Sequence, residues 1–243
     1  MNLAQHQAEK HLNRSKYQEF LGEFVYGGID GSVTTFAVVA GSAGANLDTS
    51  VILILGLANL LADGFSMSIG AYLSTKSGLE NYEKHRRTEY QEITEIPDIE
   101  REEIREIYRA KGFEGELLEK VVDVITADKD RWVDVMMKDE LGMIPEQKSP
   151  LAIGAVTYLS FIVVGLVPLI SYLFYMNTNQ TLSHLFSISI ILTSITFAGI
   201  GFLKAVVTET SRLRGIIETL LLGGSAAAVA YFVGDVLERM IVG

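Results

Sequence analysis

Five long apolar stretches, interrupted by one strongly charged segment, constrain this chain more than any other feature. A helix needs roughly 20 apolar residues to cross the hydrocarbon core of a bilayer. The stretches span about residues 20–44, 51–75, 151–176, 182–203 and 213–242, and the third and fourth contain no Asp, Glu, Lys or Arg. We therefore predict an all-α integral membrane protein with five transmembrane helices.

The charged segment, residues 76–148, contains 13 basic and 20 acidic residues, a net charge of 13 − 20 = −7 out of −10 for the whole chain. Its apolar residues are spaced as in helices. Pro97 marks the end of one predicted helix and the start of the next, and Gly112 and Gly142 mark helix ends. We predict three parts: residues 1–75 with an N-terminal segment and helices one and two, a helical domain at 76–148, and residues 149–243 with helices three to five.

The distribution of Lys and Arg predicts the orientation, because short cytosolic loops are rich in both. The loops at residues 45–50 and 177–181 have none, whereas basic residues lie at positions 10, 14 and 16 and again at 204, 212 and 214. This pattern places the N-terminus and the inserted domain in the cytosol and the C-terminus on the other side. Residues 1–19 are polar and show no pattern typical of a signal peptide.

Composition excludes several classes of function. The chain has no cysteine, which excludes disulfides, thiolate zinc sites and cysteine nucleophiles. A net charge of −10 argues against a nucleic-acid partner, which would need a basic face.

Paired acids in the inserted domain form the first candidate site. Glu89 and Glu92 are three residues apart and share a helix face, as do Glu100 and Glu103 on the next helix. A turn at Pro97 would bring the two pairs together, and facing carboxylates repel unless a cation lies between them. The alternative is a solvated acidic face, the usual explanation for a charge-rich helix.

Met136, Met137 and Glu140 add a second type of ligand on the fourth predicted helix of the domain. A soft thioether together with hard carboxylates suits Fe²⁺, Mn²⁺ or Co²⁺ better than Mg²⁺ or Ca²⁺. The alternative is a pair of core methionines beside a surface glutamate.

Acidic residues inside the predicted spans form the second candidate site. Asp30 lies in the first span, and an ionisable group at that depth costs at least ~2.5–3.5 kcal/mol, so it indicates a function. The alternative is a structural residue that a neighbouring helix satisfies. Asp63 and Met67 lie four residues apart in the second span, with Asn59 one turn before Asp63. These four side chains are candidates for lining one polar pathway.

Two further signals concern helix packing. Gly27 and Gly31 allow another helix to approach the first span closely, including the same helix of a second copy. Pro168 predicts a kink in the third span.

Five motifs in this order resemble the vacuolar iron transporter family of Fe²⁺ and Mn²⁺ transporters over nearly the whole chain. They are IDGSVTTFAVVAG, GLANLLADGFSMSIGAYLSTKS, EYQEITEIPDIEREEIREI, RWVDVMMKDELG and GLVPLI. The inserted domain resembles that of members with a cytoplasmic metal-binding domain.

The resemblance implies a homodimer with five spans per subunit and an ion path between subunits, lined by the first two spans. It implies that Asp30 and Met67 are pore ligands and that metal export from the cytosol is coupled to inward proton movement. Asn59 stands where the family has a glutamate, and Asp63 is a candidate replacement. The implied cytoplasmic ligands are Glu89, Glu92, Glu100, Glu103, Met136, Met137 and Glu140.

The expected function is export of Fe²⁺, and of Mn²⁺, as a metal/proton antiporter, with Co²⁺ or Zn²⁺ as substitutes. The expected partners are a second copy, the bilayer, divalent metals and protons, and no prosthetic group is expected. The expected location is the cytoplasmic membrane of a prokaryote or the vacuolar membrane of a eukaryote. The alternatives are a manganese-preferring transporter and a membrane-anchored metal sensor or store.

A membrane-bound di-iron enzyme is a further alternative that the sequence disfavours. Such enzymes use Glu-x-x-His pairs on bundle helices. His85 is the only histidine of the inserted domain, and Tyr82 stands three residues before it. We therefore do not expect an enzyme.

Overall fold

The computed structural model describes residues 20–146, 148–175 and 182–241. Its helices, numbered in chain order, are α1 (Leu21–Gly44), α2 (Thr49–Glu95), α3 (Pro97–Ala110), α4 (Gly115–Thr126), α5 (Lys129–Val135), α6 (Pro150–Gly165), α7 (Ile170–Tyr175), α8 (Leu182–Val207) and α9 (Arg212–Ile241). A π-helical turn (Met136–Glu140) follows α5, and a 3₁₀ turn (Val167–Leu169) separates α6 from α7. The predictions that concern the N-terminal 19 residues and the loop 177–181 lie outside the described residues.

The prediction of five membrane spans is confirmed. Within the described residues, five helices are long and apolar enough to cross a bilayer. They are α1, the apolar part of α2, α6 continued through the 3₁₀ turn into α7, α8 and α9. The predicted kink in the third span is the 3₁₀ turn at Pro168, whose missing N–H prevents a regular helix there.

The chain forms two compact units. The first comprises Met1–Tyr72 and Pro150–Gly243 and contains the five apolar helices, and the second comprises Leu73–Ser149. The predicted inserted domain, residues 76–148, falls within the second unit.

Glycine allows α1 to lie directly against α6 in the first unit. A methyl group on Gly27 would overlap the backbone of Thr157, and one on Gly31 would lie 2.9 Å from the Cα of Phe161. The predicted close packing of the first span against another helix is therefore confirmed. That helix is α6 of the same subunit, and a second copy, the other possibility, does not occupy this face.

Small residues also bring α9 against α8 and α1. A methyl group on Gly201 would lie 2.6 Å from the Gly215 carbonyl oxygen, and one on Gly234 would lie still closer to the Gly41 carbonyl oxygen. Phe186 of α8 stacks on Tyr231 of α9, with ring centroids 5.7 Å apart. Backbone contact and aromatic packing thus join these spans, and an ion pair between Lys204 of α8 and Glu218 of α9 adds to the contact, with N and O 3.1 Å apart.

The second unit has its own apolar core. Val122, Ile125, Trp132 and Val133 are buried, and Val121 and Val135 are partly buried. The rest of the buried cluster comes from Ile93, Ile104, Leu118, Met136 and Met137. Gly112 and Gly142 end their helices with positive φ angles of 91° and 63°, which glycine adopts without strain.

The close approach of α1 and α6 predicts that Gly31→Ala destabilises the protein by about 1–3 kcal/mol, because the added methyl group meets the Phe161 backbone, which cannot rotate away. Gly22→Ala on the same helix is the matched control, since a methyl group there meets no atom within 4 Å. Thermal unfolding of the purified protein checks this difference. Equal melting temperatures for the two variants would contradict the packing described here.

Candidate functional site

Five glutamates of the second unit lie within electrostatic range of one another. Glu89 and Glu92 occupy the last turns of α2, and Glu100 and Glu103 occupy the first turns of α3, with only Ile96 between the two helices. The charges of Glu92, Glu103 and Glu140 all act on Glu89, and those of Glu89, Glu92, Glu103 and Glu140 act on Glu100. We call these five residues the acidic cluster.

Two members of the acidic cluster are buried carboxyl groups. Glu89 and Glu100 are only 5% and 3% exposed. In each, the Oε2 atom has no hydrogen-bond partner among the described residues. Burying an ionised carboxylate without a partner is expensive, so such a group binds a proton or a cation.

The pKa values of the acidic cluster follow from this burial. Burial first, and then the neighbouring carboxylates, raise the pKa of Glu89 and of Glu100 to about 7. The pKa values of Glu103 and Glu140 are raised by the same two causes. Near neutral pH the cluster therefore exchanges protons readily.

The methionines lie where α5 changes its winding. The fourth predicted helix of the domain is present, but its last part, residues 136–140, is a π-helical turn in which the Leu141 N–H donates to the Met136 carbonyl. A π turn rotates the residues that follow it, so Met136 and Glu140 do not stack as an i, i+4 pair does. Met136 and Met137 are 0% and 1% exposed, whereas Glu140 is exposed.

The methionine side chains also form part of the apolar core of the second unit. Within the part of the chain that the structure describes, no three His, Asp or Glu side chains form a group that could hold a metal ion. The carboxylates of the acidic cluster are close enough to repel one another, but their arrangement is not that of a formed metal site. Their role as metal ligands stays a prediction.

The candidate residues of the spans lie on α1 and α2. Asp30 and Asn59 are partly buried, Met67 packs partly against the apolar core, and Asp63 is exposed. The charge of Asp63 acts on Asp30. Among the described residues, no side chain donates a hydrogen bond to either carboxylate or forms an ion pair with it. The role of the two carboxylates as pore ligands therefore stays a prediction.

The sequence reasoning missed a stripe of small side chains on α2. Every fourth residue along this face is small and exposed, and the members are Ala58, Ala62, Ser66 and Gly70. Four-residue spacing of small residues in an apolar helix favours close packing of two helices, so the signal was present in the sequence.

A profile described as the VIT family matches residues 21–235. The chain belongs to the vacuolar iron transporter (VIT) family. It is 33% identical over 98% of its length to "Vacuolar iron transporter 1" of Tulipa gesneriana, of which it covers 94%. It is 29% identical over 98% of its length to the Arabidopsis thaliana protein of the same name, of which it covers 92%, and 32% identical over 96% to "Vacuolar iron transporter" of Toxoplasma gondii, of which it covers 78%.

VIT family membership confirms the resemblance that the five motifs predicted. It identifies the chain as a membrane transporter rather than an enzyme, so the di-iron enzyme is not supported. Iron is the ion that the names of the relatives give. The direction of transport, other metals and proton coupling go beyond this membership.

The raised pKa values predict how the stability of the metal-free protein depends on pH. The folded state holds protons on Glu89 and Glu100 that the unfolded state releases near pH 4.5, so stability falls as pH rises from about 4.5 through about 7. Urea unfolding of the full chain in the presence of a chelator checks this. Trp132, the single tryptophan, reports the second unit because it lies in that unit's core.

The control is Glu89→Gln, which removes one of the titrating groups and should flatten the decline. Stability that stays constant or rises across this pH range would contradict the burial of the acidic cluster.

Proposed function

We propose that this chain exports Fe²⁺, and also Mn²⁺, from the cytosol in exchange for protons. The observation that carries the proposal is the Asp30 carboxylate, which lies in a membrane span beside Asp63 and has no partner among the described residues. A charge in that position is tolerated when a passing cation or a proton neutralises it. Met67 lies four residues after Asp63 on α2 and supplies a thioether to the same path.

The ligand chemistry supports a transition-metal substrate. The pore set combines the carboxylates of Asp30 and Asp63 with Met67, and Asn59 offers a carbonyl oxygen at the position where the resemblance implies a glutamate. Thioethers bind Fe²⁺ and Mn²⁺ better than Mg²⁺ or Ca²⁺, and they also accept Co²⁺ and Zn²⁺. Asp63 replaces the missing glutamate in this proposal.

The second unit is the proposed cytosolic capture domain. Its ligand set is the acidic cluster with Met136 and Met137. Carboxyl groups with a pKa of about 7 release protons when they bind a metal ion, so capture becomes stronger as pH rises. The buried Oε2 atoms of Glu89 and Glu100 support this role, since a metal ion would supply the partner they lack.

The orientation in this proposal follows the basic residues. Lys204, Arg212 and Arg214 lie at the joined ends of α8 and α9. The proposal assigns these ends, the N-terminus and the second unit to the cytosol, because short cytosolic loops are rich in Lys and Arg. Metal ions leave on the opposite side, which is the lumen of a vacuole in a eukaryote or the outside of the cell in a prokaryote. Protons enter from that side and displace the metal from the carboxylates.

The functional form in this proposal is a homodimer. The stripe of small residues on α2 and the apolar side chains beside it are exposed on the surface of the single subunit. The polar candidates for the ion path lie on the same helix. Close packing of two copies through Ala58, Ala62, Ser66 and Gly70 would cover this face. The path would then lie between α1 and α2 of both subunits.

We expect Asp30→Asn to abolish Fe²⁺ uptake into proteoliposomes, because the amide keeps the shape of the side chain but neither carries charge nor exchanges protons. Asp48→Asn is the matched control, since Asp48 is exposed in the turn between α1 and α2 and should leave uptake unchanged. Normal uptake by the Asp30→Asn variant would contradict the pore assignment.

The same vesicles separate the remaining alternatives. Uptake should increase when the vesicle interior is more acidic than the exterior, and an unaltered rate would exclude proton exchange. Competition between Fe²⁺ and Mn²⁺ identifies the preferred ion. A protein that binds Fe²⁺ but carries no flux under any gradient would be a membrane-anchored sensor or store.

The dimer predicts that Ala62→Trp converts the purified protein from two subunits to one, because the indole ring prevents close approach of the two α2 helices. Ala155→Trp is the control, as Ala155 is an exposed alanine of α6 away from the stripe. Light scattering coupled to size exclusion in detergent measures the mass of the protein. A monomeric native protein, or the same mass for native protein and both variants, would overturn the proposed interface.

A further inference from the structure

The break in the third span leaves backbone groups without their helical partners. Pro168 has no N–H, so the Val164 carbonyl has no i+4 donor. The Leu169 N–H donates to the Leu166 carbonyl at 3.0 Å, so the Gly165 carbonyl also loses its i+4 donor. Two acceptors are thereby released at one level of the bilayer, where backbone groups must be satisfied internally.

A hydroxyl of α8 already satisfies part of this break. The Ser189 Oγ donates to the Pro168 carbonyl at 2.6 Å, which fixes α8 beside the 3₁₀ turn. Because α8 runs antiparallel to α6 in the proposed topology, Thr193 lies one turn further along α8, at the level of Val164. Thr193 is 0% exposed, and its hydroxyl oxygen has no partner among the described residues.

A second hydroxyl approaches the break from α1. Gly31 lies against both Phe161 and Gly165 of α6, whereas Gly27 lies against Thr157, so α1 and α6 run in the same direction. Thr35, one turn after Gly31, is therefore at the level of the Pro168 turn. It is 0% exposed, and its hydroxyl oxygen is likewise unpartnered among the described residues.

We propose that this break is a binding site for buried water between α1, α6 and α8. Its ligands are the hydroxyls of Thr35 and Thr193 and the free carbonyls of Val164 and Gly165. Water both donates and accepts, so it matches two hydroxyls and two carbonyls, and buried waters typically make about three such bonds. All four ligands are neutral, which favours water over a metal ion that would need a carboxylate.

The bound water makes the Pro168 turn a stable bend. It supplies the hydrogen bonds that a regular helix would have had, as waters and hydroxyls do at other helix breaks within membranes. The segments on either side of the turn can then tilt without exposing unpaired groups to lipid. This site lies apart from Asp30 and Asp63 and does not depend on the metal that the protein carries.

Thr193→Val tests the site by the sign of its effect. Valine keeps the shape and removes the hydroxyl. If water bonds the hydroxyl, the loss leaves the water underbonded, and the melting temperature of the purified protein falls by about 2–4 °C. If the hydroxyl is truly unpaired, removing it stabilises the protein, so an unchanged or higher melting temperature overturns the proposal.

Thr196→Val is the matched control on the same helix. The Thr196 hydroxyl is partly buried and donates to the Leu192 carbonyl at 3.0 Å, so its loss should change the melting temperature less than the loss of the Thr193 hydroxyl. An equal fall for both variants overturns the proposal, because a local effect of valine would then explain the result.

Radiolytic labelling provides a second measurement that does not depend on a fall in stability. X-ray pulses generate hydroxyl radicals from water inside the protein, and mass spectrometry locates the labelled residues. Val164 and Pro168 should be labelled in the native protein although both are buried, and the Thr35→Val/Thr193→Val protein should lose this labelling. Val39, which is also buried, serves as the dry reference, and labelling of Val164 and Pro168 no stronger than that of Val39 overturns the site.

Discussion

The absence of water from the hydrocarbon core of a bilayer is the constraint on which this structure depends. Every polar atom inside a span needs a partner from the protein or from a bound ligand, and each departure from a regular apolar helix has to be compensated. The chain meets part of this demand with its own hydroxyl groups. Serine and threonine hydroxyls donate to backbone carbonyls, as Ser32 does to Gly28 and Ser189 does to Pro168. At other positions the partner is absent among the described residues, and these positions are the ones for which we propose a function.

Both units contain carboxylates that lack a partner among the described residues. Asp30 in a span and Glu89 and Glu100 in the second unit are acids whose charge finds no partner among the described residues. Their surroundings differ, since one group is buried by neighbouring spans and the other by a small helical core and by further acids. The common consequence is that a cation or a proton must share the site. Exchange between metal and proton at carboxylates is the chemistry that a metal/proton antiporter of the VIT family would use, so the two sites support the same proposed function.

The second unit combines its structural core with its proposed ligands. Met136 and Met137 are buried among apolar side chains at the π-helical turn, while Glu140 at the end of the same turn is exposed. A π turn inserts one extra residue into the winding and is often found at functional sites. Here it separates two buried thioethers from an exposed carboxylate within five residues. Metal binding in the proposed site would therefore involve movement of side chains that also hold the core together.

Much of the architecture was predictable because it depends on local signals. Span length and apolarity identified the five membrane helices, Pro97 marked the start of α3, and Gly112 and Gly142 marked helix ends that need a positive φ angle. The candidate residues Asp30 and Glu89 were also predictable from local signals. An acid in an apolar helix, or one that faces other acids, has an unfavourable free energy of burial or repulsion, and its position in the sequence reveals this. The order of the five motifs indicates the VIT family without any tertiary information.

The tertiary structure decided which faces meet, because the same small or polar residue can serve several neighbours. Gly27 and Gly31 were compatible with contact to a second copy, and only the position of α6 assigns them to a contact within the subunit. The π turn at Met136 escaped the sequence because its i+5 hydrogen bond depends on how the end of α5 packs. Thr35 and Thr193 are unremarkable in sequence, and they become candidates for binding water only because the structure buries both hydroxyls without a partner among the described residues.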